Sequence, residues 1–215
     1  MHYFADRCGL SLAGYKRPER GEQLAKPIAP RGLARGRVLD AAVALFAEHG
    51  VHGTSLQMIA DRVGVSKAAV YYQFHSKEDI ALEVLRPSID DIARFTRIAD
   101  ALPDAQQRRA VAVSGLVEMV VRHRKLAVIC YGDPAIDQLI LGEPDFKAVS
   151  DRLRELLEGP DPNALDRIAF SVFFSGVGKA AADPELADID DTDLRRALLD
   201  LSGRILAPVT EGVAG

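Results

Sequence analysis

The stretch Gly64–Phe74, GVSKAAVYYQF, decides how the first part of this chain folds. Gly64 permits a sharp turn because glycine carries no Cβ, and Ser66 is a residue type that caps helix N-termini. The residues that follow predict a very short helix with Val70 and Phe74 as its apolar positions. Since a helix this short is marginal on its own, we expect neighbouring helices to hold it.

Two helices are predicted before this stretch, each with an apolar stripe at helical spacing. The first is expected from about Arg35 to His49, with Gly50 as its C-terminal stop. The second is expected to begin at Thr54, because Thr54 and Gln57 have the spacing of a capping box. Together with the short helix, they predict a helix–turn–helix.

The short third helix keeps an unusual set of side chains outside. Such side chains donate hydrogen bonds to phosphates and base edges, and a helix of this size fits the major groove of DNA. The alternative is a generic helical hairpin with a solvated face, which two exposed tyrosines beside a lysine disfavour. The outward residues are Lys67, Ala68, Ala69, Tyr72 and Gln73, with Tyr71 at the edge.

Charge is distributed unevenly along the chain, whose net charge is −4. Residues 1–80 contain 11 Lys and Arg and 8 Asp and Glu, a net charge of +3. Residues 81–215 contain 16 and 23, a net charge of −7. A basic N-terminal part on an acidic body indicates a polyanionic partner at that end only.

Several classes of protein and site are not expected. The most apolar run, 110–121, is too short to span a bilayer and contains Glu118. The N-terminus lacks the features of a secretory signal peptide, so we expect a cytoplasmic protein. Cys8 and Cys130 lie far apart, without metal-ligand spacing. His123 and Cys130 have no third orienting residue, so packing is favoured over nucleophilic catalysis. From the lack of metal-ligand spacing and of a catalytic group of residues, we predict no catalytic residue, metal or cofactor, and no enzyme activity.

Residues 34–85 carry a further pattern. It comprises A-x-x-LF-x-x-x-G in the first helix, T-S-L-x-x-IA in the second, G-V-S-K at the turn, V-Y-Y-x-F in the third and S-K-E-D at the start of a fourth. This stretch, about a quarter of the chain, strongly resembles the DNA-binding domain of the tetracycline-repressor (TetR) family.

The resemblance implies an all-α fold with an N-terminal three-helix helix–turn–helix DNA-binding domain and a C-terminal helical ligand-binding and dimerisation domain. The implied protein is a homodimer, usually a repressor, that binds double-stranded operator DNA and is released by a small effector. The expected division of the chain is a flexible basic tail at 1–33, the DNA-binding domain at 34–80 and the ligand-binding and dimerisation domain at 81–215. An activator on the same fold, or a helical ligand-binding protein or enzyme with a vestigial helix–turn–helix, stays open.

The resemblance also assigns DNA contacts by position. Ala69 departs from the family pattern, because many members have threonine there. Arg31, Arg35 and Arg37 precede or open the first helix and could form a basic arm that reaches a minor groove; the alternative is a disordered extension. Phosphate contacts are implied for Thr54, Tyr71 and Lys77, and contacts to bases or nearby backbone for Ser66, Lys67, Ala68, Ala69, Tyr72 and Gln73.

Further helices are predicted at roughly 104–124, 133–141, 144–158, 162–182 and 191–207. The fourth helix starts after Ser76, and Pro87 is expected to kink or break it, with Ser88 able to restart it. Two stripes predict a dimer interface that forms a four-helix bundle, although both could be intrachain core. They are the small residues Ser171, Ser175 and Gly178 and the leucines Leu194, Leu198 and Leu201.

A ligand cavity is expected inside the C-terminal domain, where the resemblance places it. Few charged residues are expected on its faces, so the effector is predicted to be apolar or aromatic. The candidate lining residues are Phe95, Met119, His123, Tyr131, Phe146 and Phe173.

Overall fold

The computed structural model describes residues 31–130 and 133–206. Within those two ranges the chain forms α-helices and one short 3-10 turn, and no strand. No helix there is long and apolar enough to cross a membrane. The all-α prediction is confirmed. The elements are α1 (Arg31–Gly53), α2 (Leu56–Val63), α3 (Lys67–Tyr71), α4 (Lys77–Asp100), α5 (Ala105–Arg122), α6 (Arg124–Cys130), α7 (Pro134–Gly142), α8 (Pro144–Glu158), α9 (Ala164–Ala182), the 3-10 turn (Pro184–Leu186) and α10 (Asp191–Ile205).

Helices α1, α2 and α3 form the predicted helix–turn–helix. Helix α1 starts earlier than expected, at Arg31, and residues 1–30, which include most of the predicted tail, lie outside the described residues. Gly50 interrupts α1 with φ 71° and ψ 166°, which agrees with its expected role as a stop. Gly64 has φ 77° and its N–H donates to the carbonyls at the end of α2, so it closes that helix as predicted.

The start of α2 differs from the prediction. Ser55, not Thr54, is the N-cap, and its hydroxyl accepts from the Met58 N–H at 3.2 Å. Thr54 is only 2% exposed, and its hydroxyl donates to the carbonyl of Gly50 at 2.8 Å. The Thr54–Gln57 capping box is therefore wrong, because Thr54 packs inward and serves the preceding turn.

Helix α4 runs unbroken from Lys77 to Asp100, so of the kink or break expected at Pro87, the break is wrong. Its start is capped reciprocally by Ser76 and Asp79, as their spacing suggests. Proline removes one backbone N–H from the helix ladder. Pro87 is exposed to solvent, where water can bond the freed carbonyl, while apolar residues on the opposite face pack against the body.

The body packs around α4 and α5. Helix α4 contacts α1, α5, α7 and α8, and α5 also contacts α9 and α10. The predicted helix at 104–124 corresponds to α5, which ends at Arg122 because His123 leaves helical geometry with φ −102° and ψ 32°. Helix α6, which follows directly, was not predicted. Arg124 then ties the start of α6 to the segment between α9 and α10, where its guanidinium donates to the carbonyls of Leu186 at 2.6 Å and Ile189 at 2.9 Å.

Gly115 lets α5 approach α4 closely at the centre of the body. A Cβ placed on Gly115 would lie 2.4 Å from Cγ of Phe95 and 2.8 Å from its Cβ. Phe95 is buried, so it has little room to move away. The close contact of α4 and α5 therefore depends on the absence of a side chain at Gly115.

Gly115→Ala is expected to lower the free energy of unfolding, because overpacking costs about 1–3 kcal/mol and outweighs the roughly 1 kcal/mol gain in helix propensity. Gly203→Ala is the matched control in α10, since a Cβ there meets nothing within 4 Å. Chemical denaturation at one protein concentration compares the variants. Equal stability of the two variants would show that Gly115 is not required for the contact.

Candidate nucleic-acid interface

Helix α3 is anchored by two buried side chains. The helix has only five residues, and Val70 and Phe74 are 0% and 3% exposed. Ser66 caps its start as predicted, with its hydroxyl accepting from the Ala69 N–H at 3.2 Å. Each buried apolar side chain contributes about 1.5–3 kcal/mol, so tertiary packing rather than helix propensity fixes α3.

The opposite side of α3 is open to solvent. Tyr72 is 83% exposed and Tyr71 is 54% exposed, and Lys67, Ala68 and Ala69 are exposed beside them. The Tyr71 ring meets His75 edge-on, with ring centroids 5.6 Å apart. The structure thus brings these predicted contact residues together on one surface, which we call the α3 face: Ser66, Lys67, Ala68, Ala69, Tyr71, Tyr72 and Gln73.

Gln73 and Lys77 lie at the margins of the α3 face. The Gln73 amide donates to the carbonyl of Ala69 at 3.4 Å, which holds it along the helix. The Lys77 ammonium, at the start of α4, donates to the carbonyl of His52 at 2.9 Å. An ammonium has three donors, so Lys77 keeps donors for a phosphate while it supports the turn between α1 and α2.

Two residues predicted to contact DNA make hydrogen bonds within the protein, although the Arg35 side chain stays 41% exposed. Thr54 is buried, which is not the position of a surface phosphate contact. The Arg35 guanidinium donates to the carbonyl of Gln73 at 3.4 Å and pairs with Glu83 at 3.1 Å. It also lies 4.2 Å from the ring centroid of Phe74.

A contact that the sequence did not reveal joins the body to the turn between α1 and α2. The Asp133 carboxylate caps α7 by accepting from the Ala135 N–H at 2.9 Å, and it also accepts from the Val51 N–H. The ring nitrogen of His52 lies 3.9 Å away. Locally, only the Asp-Pro pair at 133–134 signalled a helix cap, and nothing signalled the partner 82 residues away.

The environment of Asp133 favours its charged form. Burial acts to raise the pKa of the carboxyl, but the N–H donors of Ala135 and Val51 and the nearby His52 lower it further, so the net pKa lies below the usual 3.8. A lowered carboxyl pKa stabilises the folded state above its unfolded pKa, and the stabilisation is lost as the pH falls through the folded value. This contact is therefore fully formed at neutral pH.

Comparison with known proteins finds a family match for the region that contains the α3 face. Residues 38–84 match the family model described as "Bacterial regulatory proteins, tetR family". Residues 38–84 therefore belong to the tetR family of bacterial regulatory proteins.

Among TetR-family relatives, the transcriptional repressor KstR2 of Mycobacterium tuberculosis is 32% identical over 122 residues, which are 56% of this chain and 60% of that repressor. The aligned part is thus less than two thirds of that relative's length. The fatty acid metabolism regulator protein of Bacillus subtilis is 26% identical over 191 residues, covering 82% and 94% of the two chains. A solved structure of M. tuberculosis KstR2, a ketosteroid transcriptional regulator, superposes with a TM-score of 0.63 at 20% identity, covering 88% and 100% of the two chains.

The predicted ligand residues do not line one cavity. Phe95 and Met119 border a groove of about 230 Å³ between α4 and α5, together with Gly115. Phe146 and Phe173 are buried in the core, and Tyr131 lies outside the described residues. The expectation of few charges is wrong for this groove, whose remaining lining residues are Asp91, Arg94, Glu118 and Arg122.

His123 and Cys130 are separate features of the body. The His123 ring contacts Asp91 at 2.9 Å, so it has a carboxylate partner that the sequence did not indicate. Burial, and secondarily Asp137, raise the pKa of the Cys130 thiol to about 11. A thiol with that pKa is protonated at neutral pH and is a poor nucleophile. In the described part of the chain, no group of three or more His, Cys, Asp or Glu could hold a metal ion.

The two stripes predicted for the dimer interface face different ways. Ser171, Ser175 and Leu201 are exposed, as an interface requires. Gly178, Leu194 and Leu198 are buried in the same subunit, so their assignment to an interface is wrong. Both faces of α9 carry residues with similar spacing, and only packing shows which is inside. The apolar residues that the prediction missed on the outside of α9 are Leu165, Ile168 and Val172.

Lys67→Ala is expected to weaken binding to specific DNA by about 1–3 kcal/mol and to relax the preference at one base position, because a lysine on the α3 face can bond guanine acceptors. Lys77→Gln is expected to weaken specific and random DNA alike, since phosphate contacts carry no sequence information. Fluorescence anisotropy over a range of salt concentrations compares both variants with Lys147→Ala, on α8. If Lys77→Gln alters base preference while Lys67→Ala does not, the roles are reversed.

Proposed function

We propose that this protein is a homodimeric repressor that binds operator DNA through the α3 face and is released by a small effector. The observation that carries the proposal is the α3 face itself, where Lys67, Tyr71 and Tyr72 are exposed while Val70 and Phe74 anchor the helix from behind. In this proposal residues 34–80 bind DNA, and residues 81–215 bind the effector and dimerise. Double-stranded DNA is the only nucleic-acid partner required.

The proposed homodimer follows from the size of the α3 face and from the outside of α9 and α10. A single short recognition helix buries too little surface for specific binding, which typically buries about 1,000 Å² or more of protein surface. Ile168 and Val172 are 59% and 54% exposed on α9, and Leu201 and Ile205 are exposed on α10. Because α9 and α10 pack against each other, these side chains favour a four-helix bundle with a second copy.

The proposed effector is mainly apolar, with a polar or charged end. Two relatives support this class by name, one a ketosteroid regulator and the other a fatty acid metabolism regulator. The groove between α4 and α5 offers such a molecule Phe95 and Met119 as apolar contacts and Arg94 and Arg122 as cations, beside the carboxylates of Asp91 and Glu118. Effectors of this kind change DNA affinity by about 1–3 kcal/mol.

Two contacts could carry the effector's influence to the α3 face. Helix α4 is continuous from Lys77, within the DNA-binding residues 34–80, to Phe95 at the groove. Asp133 connects the start of α7 to the turn before α2 through the Val51 N–H. An effector that displaces α4 or α7 would therefore change the position of the helix–turn–helix relative to its partner copy, which a two-site operator detects.

Selection from random DNA duplexes tests the proposal. The wild-type protein is expected to enrich two-fold symmetric sites whose half-sites are about 10 base pairs or more apart, because a symmetric dimer requires them. Val172→Glu places a charge on the outside of α9 and is expected to give a monomer, by light scattering, that no longer selects paired half-sites. Leu141→Glu is the control, because Leu141 is equally open to solvent, at 64% exposed, on α7.

Three results would contradict the proposal. The DNA-binding function is wrong if the wild-type protein enriches no sequence at low salt. The interface is wrong if Val172→Glu stays dimeric. The effector class is wrong if neither steroid-like molecules nor fatty acyl compounds release the selected DNA. A reporter gene behind that site, measured with and without this gene, separates repression from activation.

A further inference from the structure

Two arginines of α1 reach the C-terminal ends of both helices of the helix–turn–helix. Arg37 donates from Nη2 to the carbonyl of Val63, the last residue of α2, at 2.8 Å. Arg35 donates from Nη1 to the carbonyl of Gln73, just beyond α3, at 3.4 Å. The final carbonyls of a helix lack partners within that helix, and a cation there also interacts favourably with the helix dipole.

Arg35 makes two further contacts that fix its guanidinium. Its Nη2 pairs with Glu83 of α4 at 3.1 Å, and its centre lies 4.2 Å from the ring centroid of Phe74. Phe74 is one of the two side chains that anchor α3. A single guanidinium therefore links α1, the segment after α3, and α4, which a lysine ammonium cannot do with the same planar geometry.

We propose that Arg35 and Arg37 are positioning residues that set the orientation of α3 for DNA, and that they are not phosphate contacts. This inference rests on the proposed DNA-binding function. It differs from the basic arm that their sequence position suggests, because both guanidinium groups are held against the protein, Arg35 by Glu83 and the Gln73 carbonyl and Arg37 by the Val63 carbonyl. Arg35 and Arg37 bind the carbonyls of Gln73 and Val63, and in this way they position the side chains of α3 that would contact bases.

A phosphate contact and a positioning residue differ in how their loss changes the dependence of DNA affinity on salt concentration. Loss of a phosphate contact flattens the dependence of log K on log salt by about 0.9 units per contact, hence about two units in a symmetric dimer. Loss of a positioning residue leaves that slope unchanged. It lowers the ratio of specific to random DNA affinity by about tenfold, the loss expected for a hydrogen bond from a charged group.

Arg35→Met and Arg35→Lys, measured against the selected operator and scrambled DNA over a range of salt, are the first test. Both variants are expected to lower the ratio of specific to random DNA affinity about tenfold and to keep the wild-type salt slope. Lysine keeps the positive charge of Arg35 but lacks its planar guanidinium. Arg97→Met, which removes an exposed arginine of α4, is the control and is expected to behave as wild type. The inference is overturned if Arg35→Met flattens the slope and Arg35→Lys restores it.

Amide hydrogen exchange of the free protein is the second test and needs no DNA. Arg35→Met is expected to speed exchange in residues 67–74 by about tenfold, through easier local opening, with exchange in α9 unchanged. If Arg35→Met does not fold, Arg37→Met replaces it in this experiment, with the same expected increase in the exchange rate. Unchanged exchange in 67–74 overturns the inference even if DNA binding holds. If wild type selects no DNA, the proposed function fails, and the exchange result still decides whether the arginines anchor α3.

Discussion

Burial of Val70 and Phe74 is the interaction on which the α3 face depends. Helix α3 has five residues, far fewer than an isolated helix needs in water, which is about 12–15. Its shape therefore comes from the packing of these two side chains beneath it and from the Ser66 cap at its start. With its apolar residues turned inward, α3 can leave tyrosine, lysine and alanine exposed on the other side.

The basic residues around α3 divide into supporting and exposed groups. Arg35 and Arg37 donate to carbonyls at the ends of the two short helices, and Lys77 supports the turn before α2 through the carbonyl of His52. Lys67 stays exposed on the α3 face. Since residues 81–215 carry a net charge of −7, the body repels a polyanion and favours an approach through the N-terminal domain.

Local rules predicted much of the α3 face. Gly64, Ser66 and the capping box at Ser76 act within a few residues of themselves, so their spacing was enough to place the turn and the starts of α3 and α4. The outward residues of α3 followed from its two apolar positions. The approximate bounds of α5, α7, α8, α9 and α10 followed in the same way from apolar period and from glycine and proline, whereas α6 was not predicted.

Features decided by tertiary packing could not be predicted. Thr54 and Ser55 are both good capping residues, and only burial shows that Ser55 takes that role. Gly178 belongs to a stripe of small residues that fits an interface or a core equally well. The contact of Asp133 with Val51 joins residues 82 positions apart, so no local pattern indicates it.

Site-specific photo-crosslinking tests most directly whether the α3 face docks on DNA. A photoreactive phenylalanine analogue in place of Tyr72, the most exposed of the aromatic residues on α3 at 83%, reports which molecule lies against that surface. The same analogue in place of Leu141 reports on a distant exposed position. We expect efficient crosslinks from position 72 to the half-sites of the selected operator and none from position 141. Crosslinks from position 141 without crosslinks from position 72 would contradict this expectation.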